Sequence, residues 1–413
     1  MSSHYDLLIA GGGLAGASLA CALGATGRRV AVIEAFSLED PRQPSFDERT
    51  IALTWASRVI FEAMGIWESV SDDAGAIERI HISDRGHFGK TRLDCRDAGT
   101  EALGYVVPTR SLGNALHRRL EALKNVNLVC PATAESARVD TGIIQLQTES
   151  GDTLAAPLLV LADGGRSLLG DCVGLKLNTQ RYAQRALVTI VEVDGKHERL
   201  AYERFTEHGP IALLPMTGRR FSVAWTLPED VAEMLCETGE DEFLASLQQA
   251  FGDTAGNFIR CGRRTTYPLS LGHLPRTIAR RTVAVGNAAH IVHPVAGQGF
   301  NLGLRDVAEL VDYLCDCWAT GEDPGLGPNL ESYDKSRHAQ TERVSRFTDG
   351  LIGLFRSRLP GLATARGIGL DLVDLSASSR RFFLRRTMGL HGHLPRMARG
   401  LPPAPVLPET ASS

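Results

Sequence analysis

The chain has 413 residues, 44 basic and 48 acidic side chains for a net charge of −4, and is 43% hydrophobic and 22% charged. That balance excludes a general nucleic-acid binder, which needs a basic surface, and the length suits two or three domains or one large core with a second lobe. No apolar run approaches the ~18 residues of a membrane-spanning helix. The eight cysteines form no CxxC pair and have no framework spacing, so they read as reduced cytosolic thiols.

The N-terminal stretch YDLLIAGGGLAGASLACALGATGRRVAVIEA enters an apolar strand within a few residues, with no basic leader or cleavage site, so no signal peptide is expected. Leu7 to Ala10 has buried-strand length, and Gly11, Gly13 and Gly16 form G-x-G-x-x-G. An Ala/Leu-rich helix follows and stops at Gly27. Val30 to Ile33 is a second strand, closed by Glu34. Strand, glycine turn, helix, strand and acid in this register define a dinucleotide-binding βαβ unit. Gly11 permits the tight turn, Gly13 lets the backbone approach a pyrophosphate, and Gly16 brings helix and strand close. The helix N-terminus faces the anion, and Glu34 can accept from a ribose 2′-hydroxyl.

After a Pro/Ser-rich loop at Pro41 to Ser45, FDERTIALTWASRVIFEAMGIW reads as a helix with Arg49 near its start, and VPTRSLGNALHRRLEAL as an amphipathic helix carrying Arg110. LLVLADGGRS is a buried strand ending in Asp163-Gly164-Gly165. Residues 186 to 226 hold four strand-like runs between short turns, which suggests an antiparallel sheet inserted into the first domain. RTVAVGNAAH returns to a buried strand, a long helix follows Gly303, and the last dozen Pro- and Ser-rich residues suit disorder. No second G-x-G-x-x-G occurs, so there is one dinucleotide site. Residues 343 to 399 hold 11 arginines and 3 acidic residues, a local charge of +8.

Between Gly286 and Asp306, GNAAHIVHPVAGQGFNLGLRD is almost free of groups that could attack anything. Together with Gly11/Gly13/Gly16, Glu34 and Ala162-Asp163-Gly164, this run resembles the single-component FAD-dependent aromatic hydroxylases of the para-hydroxybenzoate hydroxylase fold, over residues 1 to about 345. DRGHFG, YERFTEHGPIALLPM and HPVAGQGFNLG resemble the branch that hydroxylates 2-polyprenyl-6-methoxyphenols in ubiquinone biosynthesis. Asn287 stands where most of that family has Asp.

The resemblance implies an α/β architecture: a Rossmann-like FAD-binding domain (1–75, 98–178, 268–345), an inserted antiparallel-sheet substrate domain (76–97, 179–267), a C-terminal helical basic region (346–399) and a disordered tail (400–413). It implies that NAD(P)H reduces FAD and that reduced flavin and dioxygen give a C(4a)-hydroperoxide, which a phenol attacks through a ring carbon; the cofactor carries the chemistry and the protein orients and excludes water. By the same resemblance Gly11, Gly13 and Gly16 hold the pyrophosphate and Glu34 the ribose, while Arg49 and Arg110 meet FAD phosphate and ribityl groups; both also read as surface arginines. Asp163 and Gly164 serve FAD and nicotinamide, or form a plain turn. Asn287, Pro294, Gly299 and Asn301 line the ring, with Pro294 and Gln298 shielding it. Phe205, Leu213 and Pro215 roof the substrate or simply fill the sheet core. His293 is a candidate proton acceptor and equally a loop histidine; with His290 it forms HxxH, but no third ligand lies nearby and no metal is expected.

The implied partners are a hydrophobic polyprenylated phenol, other ubiquinone-biosynthesis proteins and a membrane surface. Arg380, Arg381, Arg385 and Arg386 among Phe382, Phe383 and Leu384 suit peripheral docking on the inner face of the cytoplasmic membrane; a helical cap on the core is the plainer reading. Hydroxylation of another ring position or another phenol, a reductase or halogenase on the same fold, and a non-catalytic FAD-binding scaffold remain as rivals.

Overall fold

The computed structural model describes residues 3–37, 49–165, 168–292, 297–356 and 362–403. Its centre is a parallel sheet in the order Thr282–Ala284, Leu159–Leu161, Leu7–Ala10, Val30–Ile33, Val126–Val129, with Ile278–Ala279 added antiparallel at one edge. Leu7 to Ala10 and Val30 to Ile33 are buried throughout, the pattern of strands covered on both faces. Helices Leu14–Leu23, Thr109–Ala122 and Gln298–Thr320 contribute to the core on one face. A four-stranded layer that includes Ile144–Thr148 and Thr153–Ala156 contributes to the core on the other. Each buried Leu, Ile or Val there contributes roughly 1.5–3 kcal/mol.

The second body is a large sheet in the order His290–Ile291, Thr265–His273, Asn178–Val193, Arg220–Pro228, Pro210–Pro215, Leu200–Phe205, Arg79–Asp84, Lys90–Asp94. The expected antiparallel pairing holds except where Leu200–Phe205 runs parallel to Arg79–Asp84. One face packs under helices Glu229–Glu237 and Glu240–Phe251, burying Leu187, Tyr202, Leu213, Phe221, Val223 and Leu247. The other turns to the parallel-sheet body: Ser222 Oγ lies 2.6 Å from Thr50 Oγ1.

Three expectations are corrected. Residues 50–54 form a strand paired with Gly104–Pro108, and the helix begins only at Trp55; cross-strand partners override the helical reading of TIALT, whose Thr and Ile are β-branched. The long helix opens at Gln298 rather than after Gly303. Order also extends past residue 399. Met397 and Ala398 are buried in the main core, Arg396 N donates to Asp312 (2.8 Å), and Leu401 N donates to Arg396 O (3.1 Å). Buried Arg305 holds the segment before them by donating to the carbonyls of Gly389, His391 and His393. Residues 404–413 lie outside the described residues, as do 41–45.

Lys90–Asp94 is an edge strand, and edges invite intermolecular pairing unless covered. Here helix Leu362–Leu375 covers it: Asp371 accepts from Lys90 N (3.1 Å) and Asp374 from Arg92 N (2.7 Å). Replacing both carboxylates by alanine should cost about 1 kcal/mol for each lost hydrogen bond and increase self-association, read by light scattering against concentration.

Candidate active site

Strand register brings the three motif loops together. Leu161 pairs with Ala10 on one side and Ala284 on the other, so Gly11, Asp163 and Gly286 emerge side by side at the carboxyl edge of the parallel sheet. That edge is where open α/β sheets bind ligands.

At the first loop, Gly11 has φ +106°, and a Cβ there would lie 2.6 Å from Ala162 O. A Cβ on Gly16 would meet Gly11 O at 1.9 Å, so Gly16 sets helix–strand contact. Gly13 caps helix Leu14–Leu23, and with no side chain it leaves the first-turn amides open; no acidic residue occupies that turn. This end fits an anionic pyrophosphate. Glu34 is buried, with one oxygen accepting from Gly12 N (2.6 Å) and the other from Phe36 N (2.9 Å). Its remaining lone pairs suit a diol.

At the second loop, Asp163 Oδ1 accepts from Gly165 N (2.9 Å), and Gly164 and Gly165 have φ +74° and +70°. The third loop leaves the parallel sheet at Gly286 and presents Asn287 to solvent. It pairs His290–Ile291 with Gly272 and His273 of the large sheet, which suspends the loop between the two bodies. Arg49 and Arg110 come together at one corner: Thr109 N donates to Arg49 O (2.8 Å), and the Arg49 guanidinium lies 4.8 Å over the Tyr267 ring of the large sheet. Arg110 is exposed beside it.

Not every sequence candidate stands at the site as expected. Asn301 is buried, and its amide is spent on the protein: Nδ2 donates to Ala52 O (2.7 Å) and Gly297 O (2.6 Å), while Oδ1 accepts from Thr54 N (2.8 Å) and Ser57 Oγ (2.7 Å). It therefore clamps strand, helix and loop, and its side chain is not left for a ring. Leu213 lies on the helix-covered face, fully buried with Phe221 and Val223. Pro215 follows it there by period-2 alternation, buried where its carbonyl crowds Gly75. Neither roofs the inner face; Phe205, of opposite parity to Tyr202, does turn toward it. Gly299 and Gln298 open helix Gln298–Thr320. A Cβ on Gly299 would be only in ordinary contact, 3.6 Å from Val292 Cγ2, so protein packing does not demand this glycine. His293 and Pro294 lie outside the described residues.

Sequence reasoning missed the charge that anchors the third loop. Asp306, 2% exposed, accepts from Gly286 N (2.9 Å) and His290 Nε2 (2.7 Å), and Arg337 Nε donates to its other oxygen (2.6 Å). Arg337 also reaches Glu309 at 3.1 Å. Burial alone would raise the Asp306 pKa; Arg337 and His290 outweigh it and hold the carboxyl below its usual range. The only sequence signal was an acid and an arginine on apolar helix faces. His290 is thus an anchor.

The fold and these loops define a flavoprotein. The family profile for an FAD binding domain matches residues 4–348, and the chain belongs to that family. It is an FAD-dependent aromatic-ring monooxygenase, with NAD(P)H and dioxygen as co-substrates. It is 36% identical over 96% of its length to a ubiquinone hydroxylase, UbiL, of Rhodospirillum rubrum, covering 93% of that protein. A 3-demethoxyubiquinol 3-hydroxylase of Escherichia coli is 28% identical over 93% of this chain and 98% of its own. The p-nitrophenol 4-monooxygenase PnpA of Pseudomonas putida superposes with TM-score 0.78 at 18% identity, covering 95% of this chain and 100% of its own.

Asp306→Ala should leave Arg337 buried beside an incomplete counter-charge and cost about 3–5 kcal/mol of stability. The double variant Asp306→Ala/Arg337→Met should recover part of the loss in denaturant unfolding, because both charges are then removed.

Proposed function

We propose that this enzyme hydroxylates the ring of a 2-polyprenyl-6-methoxyphenol in ubiquinone biosynthesis. The observation that carries the reading is the segment 286–292, suspended between the carboxyl edge of the parallel sheet and the large sheet, whose inner face is mostly apolar. The ubiquinone-biosynthesis names of the relatives, UbiL first, support it.

In this reading Gly11 and Gly13 cradle the FAD pyrophosphate at the helix N-terminus, Gly16 keeps helix and strand in contact, and Glu34 accepts from the adenosine ribose. Arg49 and Arg110 meet phosphate and ribityl groups from their shared corner, Asp163 and Gly164 serve FAD and nicotinamide, and Asn287 meets the ribityl chain. FAD held by these residues would supply the redox chemistry, with NAD(P)H and dioxygen as co-substrates. The backbone amides of Gly299 to Asn301 open a 23-residue helix and would offset negative charge on a reduced ring placed there. Gln298 and Pro294 shut out water, His293 is the candidate proton acceptor for the phenol, and Phe205 closes the far side of the substrate space.

The polyprenyl tail calls for a lipid surface, and the C-terminal helices offer one. Phe88, Leu372, Leu375 and Phe382 are 57%, 60%, 81% and 56% exposed. Phe88 lies against Gly367, and helix Ala377–Thr387 packs beside Leu362–Leu375, so these side chains belong to one corner. Arg381 and Arg385 are exposed with them, and Arg386 covers Phe382 at 4.7 Å. Arg380 is different: it binds Asp97 at 2.9 Å and the Asp374 carbonyl, and so belongs to the fold. No helix among the described residues is long and apolar enough to cross a membrane, so docking here would be peripheral.

Under labelled dioxygen, one labelled atom should enter the phenolic product; label from water instead would overturn the reading. In vesicle co-sedimentation, changing Arg381, Arg385 and Arg386 to Gln should weaken binding to anionic vesicles at low salt, by roughly 1 kcal/mol per arginine. Folding should survive, since Arg380 is left in place.

A further inference from the structure

Register sorts the large sheet's side chains into two faces. On the inner face a single row crosses five strands: Ile82 pairs with Glu203, Glu203 with Ala212, Ala212 with Ala224, and Ala224 with Val188. The next row along holds Ser222, which reaches Thr50, and Ala201 and Leu214, which pack with Leu384 and Met388 of the C-terminal segment. On the other flank Tyr267 lies under Arg49. Four members of the row are apolar. Glu203 is the exception.

The inner row also differs from the helix-covered face in exposure. Leu187, Leu213 and Val223 are 0% exposed, whereas Val188, Ala212, Ala224, Ile82 and Glu203 all remain half-buried inside the molecule. Accessible surface therefore remains along this row, on the face that turns toward Thr50 and Arg49. Among the described residues Glu203 makes no hydrogen bond or ion pair. Its charged neighbours on this face are engaged elsewhere: Asp84 with His87 at 3.1 Å, Glu192 with Arg219 at 2.8 Å, and Arg49 with Tyr267. Burial alone pushes its carboxyl up to about 7. An unpartnered carboxyl on an apolar inner face destabilises the protein unless a ligand completes it.

We propose that Glu203 receives the phenolic hydroxyl of the substrate, its carboxylate accepting the hydroxyl's hydrogen bond and so fixing which ring carbon faces the cofactor loop. Ile82, Ala212, Ala224 and Val188 flank the ring's apolar substituents. The assignment rests on the phenolic substrate proposed above and adds the residue that recognises it.

The test uses the FAD-loaded enzyme and reads binding from the flavin absorption spectrum. A 2-alkyl-6-methoxyphenol is titrated against the same molecule methylated on its hydroxyl, below and above about pH 7, with hydroxylated product followed by mass in parallel. A hydrogen bond to a charged group predicts that the wild type favours the phenol over the ether by about tenfold or more. The ratio should grow as the pH rises through about 7, where the carboxyl ionises. Glu203→Gln should retain FAD, lose the pH dependence and keep only part of the ratio, since its amide oxygen still accepts but carries no charge. Glu203→Met should raise Tm, because the unpaired carboxyl is gone, and also lose the ratio. If the wild type hydroxylates the phenol but either folded variant keeps the full ratio and pH profile, Glu203 has no part, though the proposed reaction stands. If the wild type neither distinguishes phenol from ether nor forms product, the substrate reading fails and the role of Glu203 falls with it.

Discussion

The carboxylate of Asp306 is the point on which the rest of the site depends. It lies inside a helix of the core, yet it accepts from the first residue of the glycine-rich loop and from His290, where that loop crosses to the large sheet. Arg337, from the following helix, supplies the counter-charge. A charge this deep is tolerated only because every partner is present. The compensation fixes the loop's departure from one sheet and its landing on the other, and with them how the carboxyl edge of the parallel sheet sits against the large sheet.

Around that anchor the protein divides its labour by element. Parallel strands, buried on both faces, set three loop tips level. The large sheet gives one face to its own helices for stability and reserves the other. Asn301 and Arg305, both polar and both buried, tie outlying segments to the long helix: Asn301 takes the strand–helix junction at 52–57, and Arg305 takes the carbonyls of the C-terminal stretch. The C-terminal region is thus part of the core at Met397 and part of the surface at Phe382, and its arginines differ accordingly. Arg380 is structural, whereas Arg381 and Arg385 are exposed.

The dinucleotide unit was legible because its constraints are local. Gly11 needs a positive φ, Gly16 cannot carry a Cβ against Gly11, and Glu34 follows at the spacing the βαβ turn requires. The inserted strands were legible from alternation, although alternation does not say which parity faces which neighbour. Leu213 and Pro215 read as well for one face as Phe205 does for the other, and helices some tens of residues away decide between them. Thr50 to Thr54 failed in the same manner, since its strand exists only through pairing with residues 104–108.

By itself the sequence determined the cofactor class, the order of the three loops and the polar or apolar character of each strand, because these follow from backbone sterics and residue period within a few tens of positions. Only the tertiary structure decided that Asn301 spends its amide on the protein, that Asp306 pairs with an arginine 31 residues on, and that Glu203 stands half-buried with no partner among the described residues. Each of those outcomes depends on what stands opposite a side chain in space. Desolvation and counter-charge, which set the energies involved, are properties of that surrounding and not of the residue.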